Sequence, residues 1–444
     1  MKMRFLHGGV VLCAGLLVAT GIARAENLLG AYHQAVAHDP ALAQARAELA
    51  EDRAGLPVAR SALYPHVRVA ASVGVNRAEV TGLGLPMLTD YRSDSYGITL
   101  TQPLFDGQTL SALALARARV RAGAAALAQT EQRLIEAVTD AYFGVLKAQA
   151  DERVATREQG LLADLYRQTR AFLRVGRGDP IAVEEARANL ASARAEAIVA
   201  DNAVRVARQG LQRLTHRPLG RLRDLGPIQA RPPHPDAIGP WLAMAFAHQP
   251  LLTQARANVR AARAAVAYHE RARWPTIALV GEAEHGLGLL LPPVEVNQAG
   301  ASLQLSLPIY QGGGASAATV QAQAAVRVNR SRLRDIRDAI RLNTKTAFLD
   351  LQSSAAELDA ARAARRAARA SLRATRKGYG VGTRSIIDVL TTATQYAAAQ
   401  RRYNLALYDQ IVAHVALKGA AGMLTPADVA TINAMLTRGP RPHE

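Results

Sequence analysis

Few residues in this 444-residue chain have the types and spacing that chemistry needs. Its 11 histidines show no metal-ligand spacing such as H-E-x-x-H, and no serine stands in a G-x-S-x-G turn. Gly312-Gly313-Gly314 lacks the Lys-Ser/Thr of a phosphate loop and reads as a strand-to-helix hinge. Gly176-Arg177-Gly178-Asp179-Pro180 contains an adhesion-type tripeptide, of a length that recurs by chance. Arg362, Arg366, Arg369, Arg373 and Arg376 repeat at 4-3-4-3 spacing, with Arg365 and Lys377 nearby and no acid between Ala360 and Ile387. Such a stripe is either a solvated helix face or a positive field that favours an acidic partner or cargo. No catalysis, cofactor or metal is expected from this inventory.

The charge balance is strongly basic, 54 Lys+Arg against 36 Asp+Glu, and 49% of residues are hydrophobic but only 5% aromatic. That much apolar content over this length excludes a disordered tail or a small module. Lys2 and Arg4 precede an apolar core from Val10 to Ala19, too short to span a bilayer, and Ala23-Arg24-Ala25 ends it with small-x-small. Export with cleavage after Ala25 is expected. Cys13, the one cysteine, follows Leu12 where a lipoprotein signal needs a small residue, so a lipid anchor is not expected. An exported chain without interleaved aromatics to stack bases is not expected to bind nucleic acid.

The elements that must position these residues come in two copies. Pro40-Ala41-Leu42-Ala43-Gln44-Ala45-Arg46 recurs as Pro250-Leu251-Leu252-Thr253-Gln254-Ala255-Arg256, Tyr64-Pro65 as Trp274-Pro275, and Val175-Gly176 as Val381-Gly382. After a signal peptide over 1–25, the expected organisation is a first repeat over 26–216, a Pro-rich connector over 217–240, a second repeat over 241–420 and a tail over 421–444. Each repeat opens with one helical run, about 28–63 and 238–273. Period-2 alternation then predicts strand pairs over about 66–76 and 94–102, and over about 275–284 and 298–307, each near the length of a transmembrane β-strand. The chain turns at Pro103 and Pro308. Helical periodicity follows over about 109–175 and 315–379, with Leu127, Leu134, Val138, Ala141, Val145 and Ala148 on one heptad seam and Leu333, Ile336, Ile340, Phe348, Leu351 and Leu358 on the other. Gly-rich breaks end both, and return helices occupy about 181–215 and 385–418. The fold class is mostly α with a small β part: long antiparallel coiled-coil helices in two tandem repeats plus four transmembrane strands.

Four strands cannot close a barrel, and open edges in lipid would leave N–H and C=O groups unpaired. Chains must therefore pool strands, and three copies would give twelve, enough to leave a channel. Tyr379-Gly380-Val381-Gly382-Thr383-Arg384-Ser385-Ile386-Ile387-Asp388-Val389-Leu390, the Pro-x-Tyr/Phe-x-Gly segments after each strand pair and the duplication together resemble the TolC family of outer-membrane channel-tunnels. The resemblance covers nearly the whole mature chain. It implies a homotrimer with a twelve-stranded barrel in outer-membrane lipid and a helical tunnel through the periplasm. It also implies a non-enzymatic exit duct for type I protein secretion or multidrug efflux, recruited by a periplasmic adaptor and an inner-membrane ABC or proton-driven transporter.

The same resemblance assigns site residues. Asp388 matches the acidic constriction ring, and Thr391 stands where a second acidic ring can occur, so the acidic constriction should be weaker here. Asp388 also reads as a helix N-terminal acid. Tyr379 and Arg384 match the latch between neighbouring coils. Ala182 replaces the acid that would face the tyrosine, and Asp179, three residues earlier, is the substitute. Val175 and Gly176, with Val381, Gly382 and Thr383, match tips that meet the adaptor. The rival reading is a periplasmic coiled-coil adaptor or structural spacer without a pore, disfavoured by two hairpins in a duplication.

Overall fold

The computed structural model describes residues 26–80, 87–176, 178–226, 228–287 and 295–437. The export signal lies outside these residues, as do Arg177 of the adhesion-type tripeptide, Pro227 of the connector and the end of the tail.

The expected single run before each strand pair is two helices. In the first repeat they are α1 (Leu28–His38) and α2 (Pro40–Ser61). Asp39 breaks them apart: its side chain accepts from Leu42 N at 2.7 Å as the N-cap of α2, and Pro40 takes the first helical position, where no N–H is needed. Strands β1 (His66–Val80) and β2 (Met87–Phe105) lead into α3 (Gly107–Arg174), and α4 (Pro180–Thr215) returns. The connector contributes β3 (Asp224–Leu225). The second repeat follows the same order with α5 (Ile238–His248), α6 (Pro250–Arg271), β4 (Thr276–Leu287), β5 (Glu295–Ser306), α7 (Gly314–Gly380) and α8 (Ile386–Ala420). Then α9 (Pro426–Ala434) leads to β6 (Leu436–Thr437), which pairs antiparallel with β3.

With 68 and 67 residues, α3 and α7 each run about 100 Å at 1.5 Å per residue. Their seams are buried where predicted, at Leu134, Val138 and Val145 on α3 and at Ile340, Phe348, Leu351 and Leu358 on α7. The largest core gathers Tyr142, Phe143 and Leu146 of α3, Leu28 of α1, Leu211 of α4, Tyr408 of α8 and Val429 of α9 around the connector residues Leu222 and Leu225. The connector is thus a packed layer: Tyr142 Oη lies 2.9 Å from Arg223 O, and Gln410 Nε2 donates to Arg231 O at 2.8 Å.

The four long strands form one antiparallel sheet in the order β1-β2-β4-β5. Register places Val67, Leu100, Gly281 and Ala301 in one cross-strand row, and Val69, Ile98, Ala283 and Ala299 in another, all on the same face. The opposite face carries Arg68, Thr99, Glu282 and Gly300, then Ala70, Gly97, Glu284 and Gln298. The strands span 15, 19, 12 and 12 residues, more than the ten or so that alternation shows. Alternation registers only the apolar band, whereas the backbone ladder continues beyond it to polar pairs such as Arg77 with Asp90. The turn expected at Pro103 is instead a bulge: β2 continues, and Phe105 pairs with Ile277 on the apolar face, stacked on Trp274. Among the described residues no helix is long and apolar enough to cross a membrane.

Candidate functional site

All four helix connections leave the sheet at one end, so the α3–α4 and α7–α8 turns form the opposite end of the molecule. Both turns are built alike. Val175 follows α3, Gly176 adopts φ 71°, and its N–H donates to Leu173 O at 3.1 Å. Val381 follows α7, Gly382 adopts φ 80°, and its N–H donates to Tyr379 O at 3.1 Å, while Thr383 N donates to Gly378 O at 2.8 Å. A left-handed residue after a helix favours glycine because a Cβ would meet the following carbonyl. Gly382→Val is therefore expected to cost about 1–2 kcal/mol locally. Hydrogen exchange over residues 376–386 checks this, with faster exchange there and none around Tyr142.

Asp388 lies in the first turn of α8 and forms a capping box with Ser385: Asp388 N donates to Ser385 Oγ at 3.1 Å, and Ser385 N donates to Asp388 Oδ2 at 3.0 Å. The carboxylate is half-buried, with one oxygen engaged at the cap, and Thr391, one turn on, is exposed. Tyr379 packs half-buried against the cluster of Leu162, Leu165, Ala186, Leu190, Leu372, Ile386 and Val389, which Ala182 also joins. Burial pushes the Tyr379 hydroxyl up.

Asp179 does not replace the acid missing at Ala182 within one chain. Its side chain caps α4, accepting from Ile181 N at 2.9 Å, and among the described residues no hydrogen bond or ion pair joins it to Tyr379 or Arg384. Arg384 is exposed and its stem folds over Gly378, where an added Cβ would lie 2.7 Å from Arg384 Cγ.

The basic stripe divides. Arg362 is tethered, donating to Asp359 at 3.2 Å and to Ile228 O of the connector at 2.8 Å, and Arg365 sits 3.7 Å over the Tyr403 ring. Arg366, Arg369, Arg373 and Arg376 are exposed and form no ion pair among the described residues.

The structure also shows a polar node with no sequence signal. Arg401 of α8 pairs with Asp151 at 2.9 Å and Glu158 at 3.3 Å on α3, and with Glu196 at 2.7 Å on α4. It pins the second hairpin to the first. The Glu158 side chain is only 7% exposed. Burial raises its pKa, Arg401 lowers it, and Glu196 and Asp151 raise it. These partners lie more than 200 residues from Arg401 in sequence, beyond the reach of any spacing rule.

The sequence profile of the outer membrane efflux protein family matches residues 31–216 and 241–423, both repeats without the connector. The chain belongs to that family. It is 27% identical over 418 residues to outer membrane protein TolC of Vibrio cholerae, covering 93% of this chain and 94% of the relative. It is 30% identical to the outer membrane efflux protein BepC of Brucella suis, covering 95% and 90% of the two chains. Alkaline protease secretion protein AprF of Pseudomonas aeruginosa is 29% identical, with 97% and 91% covered. Among solved structures, the outer-membrane channel OprN superposes with a TM-score of 0.79 at 20% identity, covering 89% and 90% of the two chains. The Campylobacter jejuni CmeC outer membrane channel gives 0.78 at 17%, covering 93% and 90%. This outer membrane efflux protein therefore has the channel-tunnel architecture, and it resides in the outer membrane and extends into the periplasm. The family is one of ducts and not of enzymes, and the adaptor or spacer reading finds no support.

Proposed function

We propose that three copies of this chain close a twelve-stranded barrel and continue as a helical tunnel. The assembly is an exit duct for type I protein secretion or multidrug efflux, engaged by a periplasmic adaptor and an inner-membrane ABC or proton-driven transporter. One observation carries the reading: the apolar-faced sheet ends at β1 and β5, whose outer edges have no partner among the described residues. Edge groups unpaired in lipid cost several kcal/mol each, so β1 of one copy must meet β5 of the next. Three copies leave a channel where two would fill the bore. The helices support the same contact. On α7, Leu342 and Leu349 are 64% and 58% exposed, and Ala356, Ala363 and Ala370 continue them at seven-residue spacing; α4 exposes Ile198, Val199 and Val206.

In this assembly the export signal is removed after Ala25, Asp388 rings the constriction with Thr391 beside it, and Tyr379 and Arg384 close the end against the neighbouring copy. Val175, Gly176, Val381, Gly382 and Thr383 meet the adaptor. The tether from Arg362 to the connector sets the rest of the stripe on the connector side of α7, where it favours an acidic partner over cargo in the bore. The cargo follows the transporter, and relatives carry names from both protein secretion and efflux.

Purified protein is expected to migrate as a heat-modifiable trimer and to conduct in planar bilayers with cation preference. Asp388→Asn should move the reversal potential toward zero. A soluble monomer, or an unchanged reversal potential, would count against the barrel and the constriction respectively.

A further inference from the structure

We infer that the crevice between α3, α7, α8 and the α5–α6 junction binds an organic cation, a protonated amine on an apolar body. The crevice encloses about 410 Å³. Its polar wall is dominated by acceptors. Gln249 is 8% exposed, and its Nε2 donates to Gly419 O and Ala420 O, each at 3.2 Å. Those two carbonyls identify the amide nitrogen and leave Oε1 buried without a donor among the described residues. Gln129 Oε1, in the same lining, is likewise buried and without a donor. Glu136 and Asp140, one turn apart on α3, also line the crevice, and neither carboxylate receives a hydrogen bond or ion pair among the described residues. Against these four acceptors the lining offers Arg133 and the Asn343 and Gln129 amide nitrogens as donors.

Position and packing aim this chemistry. The Glu136 carboxylate rests against Gly419, where an added Cβ would lie 1.8 Å from Glu136 Oε1, so the missing side chain keeps that oxygen in place. Leu251, Ile340, Val412 and Val415 supply the apolar lining. A buried acceptor without a donor is destabilising, and an ammonium brings three N–H donors together with a positive charge beside the two carboxylates. Burial, then the Asp140 charge, push the Glu136 carboxyl up, and Arg133 opposes them. By helical period, Glu136 and Asp140 lie on the side of α3 away from Val138 and Val145. In the assembled tunnel we place this side of α3 toward the bore. That placement rests on the trimer reading; the site itself needs only the fold of one chain.

The test is calorimetric titration of the detergent-solubilised full chain with 4-phenylbutylamine and its neutral isostere 4-phenylbutan-1-ol. Saturable binding of the amine and none of the alcohol is expected. Binding should weaken about tenfold in E136Q/D140N and about threefold in each single variant, with the oligomer unchanged. Equal binding of amine and alcohol, no saturable amine binding, or undiminished binding by the variants would overturn the site. If the double variant fails to fold, the single variants decide. A trimer without amine binding removes this inference alone, and a monomer that binds the amine removes the trimer reading alone.

Discussion

Ile98→Arg is expected to block assembly in the membrane, whereas Thr99→Arg, its neighbour in sequence, leaves it intact. Ile98 shares its row with Val69, Ala283 and Ala299 on the apolar face, and Thr99 shares one with Arg68 and Glu282 on the other. An arginine on the lipid face near the bilayer midplane costs about 2–4 kcal/mol per chain, and symmetry imposes it on every copy. On the polar face the same side chain meets water and the Glu282 carboxylate. Heat-modifiable migration after refolding into vesicles reads both outcomes. Equal failure of the two variants would mean that the faces are assigned wrongly.

Arg401→Leu should loosen the second hairpin from the first and leave the duct leaky. Three carboxylates converge on this one guanidinium, and the Glu158 side chain is 7% exposed. Breaking a fully buried pair costs about 3–5 kcal/mol. Arg401 is 27% exposed and Asp151 and Glu196 are about half exposed, so solvent screening reduces the expected loss to about 2 kcal/mol. The pH dependence has a definite sign. Burial, the largest influence on Glu158, raises its folded pKa, so the folded state binds the proton more tightly than the unfolded chain. That contribution is fully present below the unfolded value of about 4.3 and is lost as pH rises through the folded one. Removing Arg401 removes the influence that lowers this pKa. The variant should therefore be closest to native near pH 4 and leakiest near pH 8. Single-channel conductance at the two pH values measures it, and a defect independent of pH would assign Arg401 a packing role alone.

Sequence patterns located most of the elements because long helices and half-buried strands repeat their burial at 3.6 and 2 residues. Leu134, Val138 and Val145 on one seam and Val67, Val69, Ile98 and Leu100 on the sheet face follow from spacing alone. The tip glycines were legible for a local reason: the left-handed φ of Gly176 and Gly382 favours glycine. Local competition moved the boundaries. Asp39 and Pro40 split a continuous apolar period because capping and a missing N–H outweigh periodicity over one residue, and a bulge carried β2 past Pro103.

What spacing could not decide were contacts between distant segments. Asp179 sits near the missing acid in sequence, and in the fold one oxygen of its carboxylate caps α4. Arg401 is one of two adjacent arginines on α8 until three carboxylates from the other hairpin surround it. The crevice at Gln249 exists only where Gly419 lets Glu136 approach. The sequence by itself determined the duplication, because repeated segments match directly, and the period of every long element and the apolar face of the sheet, because these depend on neighbours a few residues away. Only the tertiary structure decided which charges are paired, which acceptors stay empty and how the connector packs. Burial and pairing energies depend on groups that packing brings together from more than a hundred residues apart.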